Sequence, residues 1–410
     1  MHNQTVVVLD FGGQYKELIA RRVRECGVYS VIKPGDTPVE ELLKLNPIGF
    51  ITTGGPASVY EETSPHCSPE LFTCGVPVLG ICYGMQLMTW TLGGKVSSAS
   101  VSEYGPTAAA FETDAVLFDG LDTLQTVLMS HTDFVSEPPA GFRITARTAD
   151  CPVAAIECPD KKLYGVQFHP EVVHTKDGTK IIRKFLYDVC GAAGDYTMDD
   201  YIERTVKSIR EQVGDSKVIL GLSGGVDSSV AAALISKAIG ENLTCIFVDH
   251  GFMRKNEALE VKNAFRDMPL KLIQLDESER FLSALKGVTD PETKRKTIGR
   301  LFIDSFCDEA ERIGGADFLA QGTIYPDIIE SGNSKAATIK SHHNVGGLPR
   351  DIGFKGLVEP LRGLFKDEVR KVGTMLGLPS YLVNRQPFPG PGLAIRVIGE
   401  LTREKLDLLR

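Results

Sequence analysis

Short apolar runs alternate with amphipathic stretches throughout the first half of the chain. The apolar runs include Val6–Phe11, Ile48–Thr52 and Val76–Ile81, and the apolar positions of Tyr15–Cys26 and Met85–Leu92 have helical spacing. Such runs, separated by amphipathic helices, are typical of strand–helix units around a parallel sheet. We therefore predict a mostly parallel sheet flanked by helices for this half.

The same alternation resumes after a Gly/Ala-rich break at 190–194, and a polar helix is predicted to begin near Met198. The Pro/Gly-rich segment Gln386–Gly392 fits neither a helix nor a central strand and marks a junction. We predict an α/β fold with two tandem doubly wound, mostly parallel-sheet domains at 1–194 and 195–385, and the start of a third at 386–410. The later elements are predicted at Val218–Leu222, Ser228–Ile239, Leu243–Val248, Glu257–Phe265 and Leu270–Leu275.

The composition is that of a globular protein, with 42% hydrophobic and 24% charged residues among 410. The 45 Lys and Arg residues against 53 Asp and Glu residues give a net charge of −8, which argues against a nucleic-acid partner. No apolar run could span a membrane and no leader pattern precedes the first strand, so we expect a cytoplasmic protein without a membrane partner. The nine cysteines form no CxxC pair, and their spacing predicts neither a disulfide framework nor a zinc site.

A cysteine flanked by glycines lies where a predicted strand meets a predicted helix. Gly80 and Gly84 leave room for a sharp turn that exposes Cys82 as a nucleophile. The N-terminus of the following helix offers N–H groups to an oxyanion. A lone cysteine beside an apolar run is most often a buried hydrophobic residue, so the catalytic interpretation depends on complementary segments elsewhere.

Two such segments are present. Pro170 disfavours a helix at His169, and in an extended segment His169 and Glu171 project to one side, where the carboxylate can orient the imidazole toward Cys82. The segment Gly54–Pro56 follows a predicted strand and could add a backbone donor to an oxyanion hole. Together these features favour a catalytic cysteine.

Four segments resemble the class I glutamine amidotransferase family, whose members hydrolyse glutamine to glutamate and ammonia. The resemblance covers nearly all of residues 5–190 and implies a triad of Cys82, His169 and Glu171. It also implies that Gly55 and Tyr83 are oxyanion-hole donors and that Gln86 recognises glutamine. The four segments are Thr53–Tyr60 (TGGPASVY), Gly80–Gln86 (GICYGMQ), Ser130–Asp133 (SHTD) and Gly165–Val172 (GVQFHPEV).

A second candidate site lies between the predicted strand Val218–Leu222 and the helix that follows it. Its glycines let backbone N–H groups converge on phosphate at a helix N-terminus, and Asp227 can carry a magnesium ion. The alternative is a capped Gly-Gly turn. The loop lacks the lysine of a Walker A motif. It consists of Ser223, Gly224, Gly225, Val226, Asp227, Ser228 and Ser229.

This loop resembles that of the ATP pyrophosphatases, which adenylylate an oxygen and release pyrophosphate. Three more segments, Gln321–Asp327, Ile339–Pro349 and Pro387–Gly392 (PFPGPG), resemble the glutamine-hydrolysing GMP synthetase family. The resemblance implies glutamine, ATP and xanthosine 5′-monophosphate (XMP) as substrates, with Mg²⁺ as cofactor. It implies that Lys366 neutralises pyrophosphate and that Arg295 meets XMP.

The same family has a further C-terminal domain that dimerises, so a homodimer is expected of its full-length members. In the family that domain follows the segment equivalent to Leu401–Arg410, and this sequence does not include it. A stand-alone glutaminase or an incomplete synthetase therefore stays an alternative. A related amidotransferase-coupled enzyme such as NAD synthetase would share the loop but not the PFPGPG segment. A non-catalytic nucleotide sensor is the third alternative, and labelling of Cys82 by a glutamine-like electrophile would exclude it.

Overall fold

A computed structural model describes residues 4–331 and 354–410 of the chain. The segment Ile339–Pro349, which carries part of the family resemblance, lies outside the described residues. The chain divides into two compact units, Met1–Thr197 and Met198–Arg410, and each is described by itself. Within the described residues, no helix has both the length and the apolar character needed to cross a membrane.

The first unit contains one sheet of nine strands with helices around it. Its strands are β1 (Thr5–Asp10), β2 (Tyr29–Pro34), β3 (Pro47–Thr52), β4 (Val78–Ile81), β5 (Lys95–Phe111), β6 (Leu124–Glu137), β7 (Arg143–Arg147), β8 (Ala155–Cys158) and β9 (Leu163–Val166). Its α-helices are α1 (Lys16–Glu25), α2 (Val39–Leu43), α3 (Tyr83–Thr91) and α4 (Gly178–Lys184).

The sheet has the strand order β2-β1-β3-β4-β9-β8-β7-β5-β6. The first five strands pair in parallel, and their apolar runs are buried as expected for strands covered on both faces. The other four strands extend the sheet with antiparallel pairing, which the apolar runs did not predict. The carboxyl ends of β3, β4 and β9 lead into the three segments that carry the candidate glutaminase residues.

The second unit is built around five parallel strands in the order β12-β11-β10-β13-β14. Both units are therefore α/β, which confirms the predicted fold class. The second unit contains α5 (Met198–Val213), β10 (Val218–Gly221), α6 (Val226–Ile239), β11 (Leu243–Asp249), α7 (Glu257–Ala264), β12 (Lys271–Asp276), α8 (Ser278–Ala284), α9 (Pro291–Arg312), β13 (Phe318–Ala320), α10 (Tyr325–Ser331), β14 (Gly356–Val358), α11 (Lys366–Met375), α12 (Ser380–Val383) and α13 (Arg403–Leu409).

Strand β10 is the point at which the order of this sheet reverses, because β11 lies on one side of it and β13 on the other. Ligands of doubly wound sheets bind beyond the carboxyl ends of the strands at such a switch point. The Ser223–Ser229 loop leaves β10 at that end and leads into α6. The topology thus places the loop where an anionic ligand is expected.

A buried lysine holds the backbone that follows the Pro/Gly-rich segment Gln386–Gly392. Lys294 lies on α9, is fully buried, and donates from Nζ to the carbonyl oxygens of Val397 at 2.8 Å and Gly399 at 2.7 Å. Burial lowers the pKa of Lys294, and Lys405 lowers it further. Lys294 therefore fixes the backbone around Val397 and Gly399 and does not face solvent.

Candidate active sites

Cys82 occupies a strained turn between β4 and α3. Its backbone has φ 52° and ψ −109°, a conformation that costs free energy for any residue other than glycine. The Cys82 N–H donates to the carbonyl oxygen of Val166 at 2.7 Å, which ties the turn to β9. A nucleophile on a strained strand-to-helix turn is the arrangement that the sequence predicts for this cysteine.

The glycines around the turn allow three elements to come close together. A Cβ on Gly84 would lie 2.3 Å from Oγ1 of Thr52 at the end of β3, and a Cβ on Gly80 would lie 2.7 Å from the Gly84 backbone. No side chain fits in either position. The close approach brings the Thr52–Pro56 loop against the start of α3.

His169 and Glu171 form a buried pair next to this turn. The imidazole Nδ1 lies 2.7 Å from Glu171 Oε1, and the Glu171 side chain has no exposed surface. The hydroxyl of Thr175 donates to the His169 carbonyl oxygen at 2.6 Å and holds the segment in place. The carboxylate thus fixes the orientation of the ring, as an orienting group of a catalytic base must.

The pKa of His169 is raised to about 10. Burial acts in the opposite direction and favours the neutral ring, but hydrogen bonds with Cys82 and Glu171 and the negative charges of both groups outweigh burial. The ring therefore holds a proton readily when a negative charge lies beside it. At neutral pH the ring therefore carries this proton and can give it to a departing nitrogen.

Backbone donors suited to an oxyanion lie around the thiol. Tyr83 is the first residue of α3, so its N–H has no carbonyl partner within the helix. A Cβ on Gly54 would lie 3.1 Å from His169 Cε1 and 3.6 Å from Cys82 Cβ, which places this loop against both residues. Within the described part of the chain, the N–H of the neighbouring Gly55 has no hydrogen-bond partner.

Gln86 contacts a second glutamine that sequence reasoning missed. Its Nε2 donates to the Asp133 carbonyl oxygen at 2.7 Å and to Gln167 Oε1 at 3.2 Å, and Gln167 Nε2 lies 3.5 Å from Cys82 Sγ. Gln167 precedes His169 by two residues, and in extended backbone such residues share a side. That spacing is the signal that could have identified it.

Cys82, Gln86 and His169 line a cleft of about 470 Å³ in the first unit. Tyr15 forms one wall, with its ring centroid 5.3 Å from that of His169. His131 and Asp133 from β6 also line the cleft. The cleft therefore brings together Cys82, His169, Gly55 and Gln86 as predicted, while Tyr83 and Glu171 support it from the buried side.

The Ser223–Ser229 loop has the backbone form of an anion-binding turn. Gly224 has φ +73°, and α6 begins at Val226, so the loop N–H groups precede a helix N-terminus. Ser223 Oγ and Ser228 Oγ are 2.9 Å apart, whereas the Ser229 hydroxyl donates to the Gly225 carbonyl oxygen at 2.8 Å. The Ser229 hydroxyl therefore stabilises the loop itself.

Lys366 and Asp227, which the family resemblance assigned to one site, are in contact. Lys366 Nζ lies 2.6 Å from each carboxylate oxygen of Asp227, and both side chains are partly exposed. Each stands at the start of a helix, Asp227 in α6 and Lys366 in α11. The loop therefore carries both a carboxylate and a cation at its mouth.

Arg385 is a second cation on this loop that sequence reasoning missed. Its Nη1 donates to the Gly224 carbonyl oxygen at 3.1 Å and to Glu257 Oε1 at 2.7 Å, and its Nη2 pairs with Glu260. The Arg385 side chain is buried, so these contacts fix the turn at Gly224. Nothing in the spacing of Arg385 from the loop could have predicted the contact.

Neither Arg295 nor His250, which follows β11, belongs to the Ser223–Ser229 loop site. Arg295 forms a two-pronged ion pair with Glu292 on its own helix α9, and among the described residues it makes no contact with the loop. His250, which follows β11, is buried against Phe252 and Phe281, and burial lowers its pKa to about 4. The structure thus does not bring Arg295 together with the other predicted residues.

Relatives that match the whole chain decide the family. "GMP synthase [glutamine-hydrolyzing]" of Caldicellulosiruptor saccharolyticus is 59% identical over 411 residues, covering 100% of this chain and 80% of the relative. The protein of the same description from Acetivibrio thermocellus is 58% identical with the same coverage. The chain belongs to the glutamine-hydrolysing GMP synthase family. The sequence-based prediction of a carbon–nitrogen ligase with glutamine as amide donor is confirmed, and a stand-alone glutaminase is not favoured.

Two family models match parts of the chain. The model "Glutamine amidotransferase class-I" matches residues 7–189, and the model "NAD synthase" matches residues 198–297. Among solved structures, a protein from Thermoplasma acidophilum described as a GMP synthase component is 32% identical with a TM-score of 0.43. The match covers 47% of this chain and 96% of the Thermoplasma chain.

Proposed function

We propose that the first unit of this GMP synthase releases ammonia from glutamine by thiol catalysis. The Cys82 sulfur bonds to the side-chain carbonyl carbon of glutamine while His169 holds the proton that the thiol has given up. His169 then gives that proton to the departing nitrogen, ammonia leaves, and water cleaves the resulting thioester to glutamate. The strained Cys82 turn beside the buried His169–Glu171 pair is the observation that carries this proposal.

The remaining residues of the cleft have supporting roles in the proposal. The N–H groups of Gly55 and Tyr83 stabilise the negative oxygen of the tetrahedral intermediate. Gln86 positions Gln167 beside the thiol, and both amides lie where the substrate glutamine would bind. Glu171 keeps the imidazole in one orientation throughout.

We propose that the second unit activates XMP with ATP. The C2 oxygen of XMP attacks the α-phosphorus of ATP and pyrophosphate leaves. Ammonia then adds at C2 and AMP leaves, so that GMP is formed. Backbone N–H groups of Ser223–Ser229 and the Lys366 ammonium hold the phosphate oxygens on which negative charge develops.

A magnesium ion fits the donor groups of the loop. Oxygen is the ligand that Mg²⁺ prefers, and the Asp227 carboxylate with the Ser223 and Ser228 hydroxyls supplies that class of donor. When bound, the ion supplies positive charge to the leaving pyrophosphate. For Arg295 we propose a contact with XMP, for which the Glu292 ion pair would have to open.

We also propose a division into three domains from the family resemblance. We assign 1–194 to the amidotransferase, 195–385 to the ATP pyrophosphatase and 386–410 to the start of a dimerisation domain. The chain spans about 80% of the length of its relatives. The family resemblance supports a cytoplasmic homodimer with small-molecule substrates and no membrane partner, and the net charge of −8 argues against a nucleic-acid partner.

An AMP assay with two nitrogen sources tests the proposal. The full chain is supplied with XMP, Mg-ATP and either glutamine or ammonium, and AMP formation is measured. Cys82→Ala should abolish AMP formation with glutamine and retain it with ammonium, because the thiol acts only in ammonia release. Cys74→Ala, a change at a half-buried thiol of the same unit, should retain both activities. Equal loss of both activities in Cys82→Ala would contradict the division of labour.

A further inference from the structure

Three side chains of metal-ligand type lie together at the edge of the glutaminase cleft. They are Glu103, His131 and Cys151, all buried, and one ligand atom from each lies within 4.8 Å of the others. His131 also lines the cleft, whereas Glu103 and Cys151 lie behind it. The proposed glutaminase chemistry uses none of the three.

The antiparallel part of the sheet brings these residues together. Glu103 on β5 pairs with His131 on β6, and Cys151 lies in the connection between β7 and β8. His131 Nε2 is 3.2 Å from Glu103 Oε2. Because the three ligands come from three separate segments, no CxxC-like spacing could have predicted the cluster.

Thr148 orients two of the three groups. Its hydroxyl donates to Glu103 Oε1 at 2.7 Å and accepts from the Cys151 N–H at 2.9 Å. This leaves Glu103 Oε2 directed toward the imidazole. Metal-binding carboxylates are commonly held by such outer hydrogen bonds, and loss of one weakens metal affinity about 10–100-fold.

The donor set of imidazole, carboxylate and thiolate is one that zinc prefers. Three protein ligands leave a fourth position for water, and the cleft beside His131 gives an ion access from solvent. His131 Nδ1 is buried without a hydrogen-bond partner among the described residues, so hydrogen bonding does not satisfy this ring completely. A purely structural hydrogen-bond network would be expected to satisfy it.

We propose that Glu103, His131 and Cys151 form a binding site for Zn²⁺ or a similar divalent ion beside the glutaminase cleft. On binding, Cys151 loses its thiol proton to solvent and gives up its contact of 3.4 Å with the Val153 carbonyl oxygen. Glu103 Oε2 and one His131 nitrogen become ligands in place of their mutual hydrogen bond. The site does not depend on the proposed function of Cys82.

Cobalt substitution tests the site in the full chain. The background variant is Cys82→Ala, which removes a competing thiol that lines the cleft, and the probe is Co²⁺ added to chelator-treated protein. We expect a thiolate-to-cobalt charge-transfer band in the near ultraviolet together with the strong visible absorption of tetrahedral cobalt. Cys151→Ser in this background should remove the charge-transfer band, and Cys158→Ser, at another buried thiol of the unit, should retain it.

Zinc affinity gives a second measurement that does not depend on replacing the cysteine. In a chelator competition, Thr148→Val should weaken Zn²⁺ binding about 10–100-fold, and Glu103→Gln should weaken it at least as much. Circular dichroism checks that each variant is folded. A cobalt spectrum without a thiolate band, or one that persists in Cys151→Ser, would overturn the proposal, as would unchanged zinc affinity in folded Glu103→Gln.

Discussion

At the scale of single residues, the Glu171 carboxylate acts together with Cys82 to hold the proton of His169. Its hydrogen bond and charge help raise the pKa of His169 to about 10 despite burial. The raised pKa means that the bound proton stabilises the folded state fully below the ordinary histidine pKa of about 6.5. This contribution is lost as the pH rises from there through about 10.

Glu171→Gln should therefore lower the pKa of His169. The measurement is a ¹³C-histidine NMR titration of the full chain, with the His169 signal assigned from a His169→Gln sample. Glutamine-driven AMP formation should fall about 100-fold or more, within the range for general acid–base groups, while ammonia-driven formation continues. Glu62→Gln, at an exposed carboxylate of the same unit, should change neither quantity. An unchanged His169 titration in Glu171→Gln would show that the carboxylate does not control the proton.

A substitution of Asp227 tests the proposed ATP site directly. Asp227→Asn removes the charge that pairs with Lys366 and the proposed magnesium ligand. AMP formation should fall about 100-fold or more with either nitrogen source, because each lost charge interaction is worth several kcal/mol in the transition state. Glutamate release from glutamine should persist. The matched control is Asp215→Asn, at an exposed position before β10, and AMP release from Asp227→Asn at the parent rate would contradict the assignment.

At the scale of elements, the sequence predicted β1, β3 and β4 of the first sheet and β10, β11 and β12 of the second, because their apolar runs are continuous. It did not predict the short parallel strands β2, β9, β13 and β14. It did not predict β5 and β6, whose residues alternate between buried and exposed. The alternation in Leu124–Glu137 is a signal for a strand with one covered face and could have been recognised. The contacts of Thr148 and Arg385 join distant segments, and only the folded chain reveals them.

The close approach of α3 to β3 makes a prediction about Gly84. In Gly84→Ala the new methyl group would meet the Thr52 hydroxyl and carbonyl, so the unit should lose about 1–3 kcal/mol of stability by overpacking. Glutamine-driven AMP formation should fall more than ammonia-driven formation. Gly299→Ala on α9, where a Cβ meets no atom within 4 Å, should gain about 0.5–1 kcal/mol. Denaturant unfolding measures both changes, and an unchanged stability of Gly84→Ala would contradict the packing argument.

At the scale of the whole molecule, each unit contains its own sheet and its own hydrophobic core. Units with separate cores can unfold as separate cooperative transitions. We expect two transitions in differential scanning calorimetry of the full chain. Gly84→Ala should lower the temperature of one of them and leave the other in place, and a single transition for all variants would show that the units unfold together.

The positive φ of Cys82 sets fold stability against catalysis at this position. Because a positive φ is unfavourable for a side chain with a Cβ, a glycine would occupy this bend with less strain. Natural selection for a more durable fold and selection for a reactive sulfur therefore favour different residues at the same place. Lineages that no longer need ammonia from glutamine should drift toward glycine there, and the residue at this bend would then record the loss of the activity.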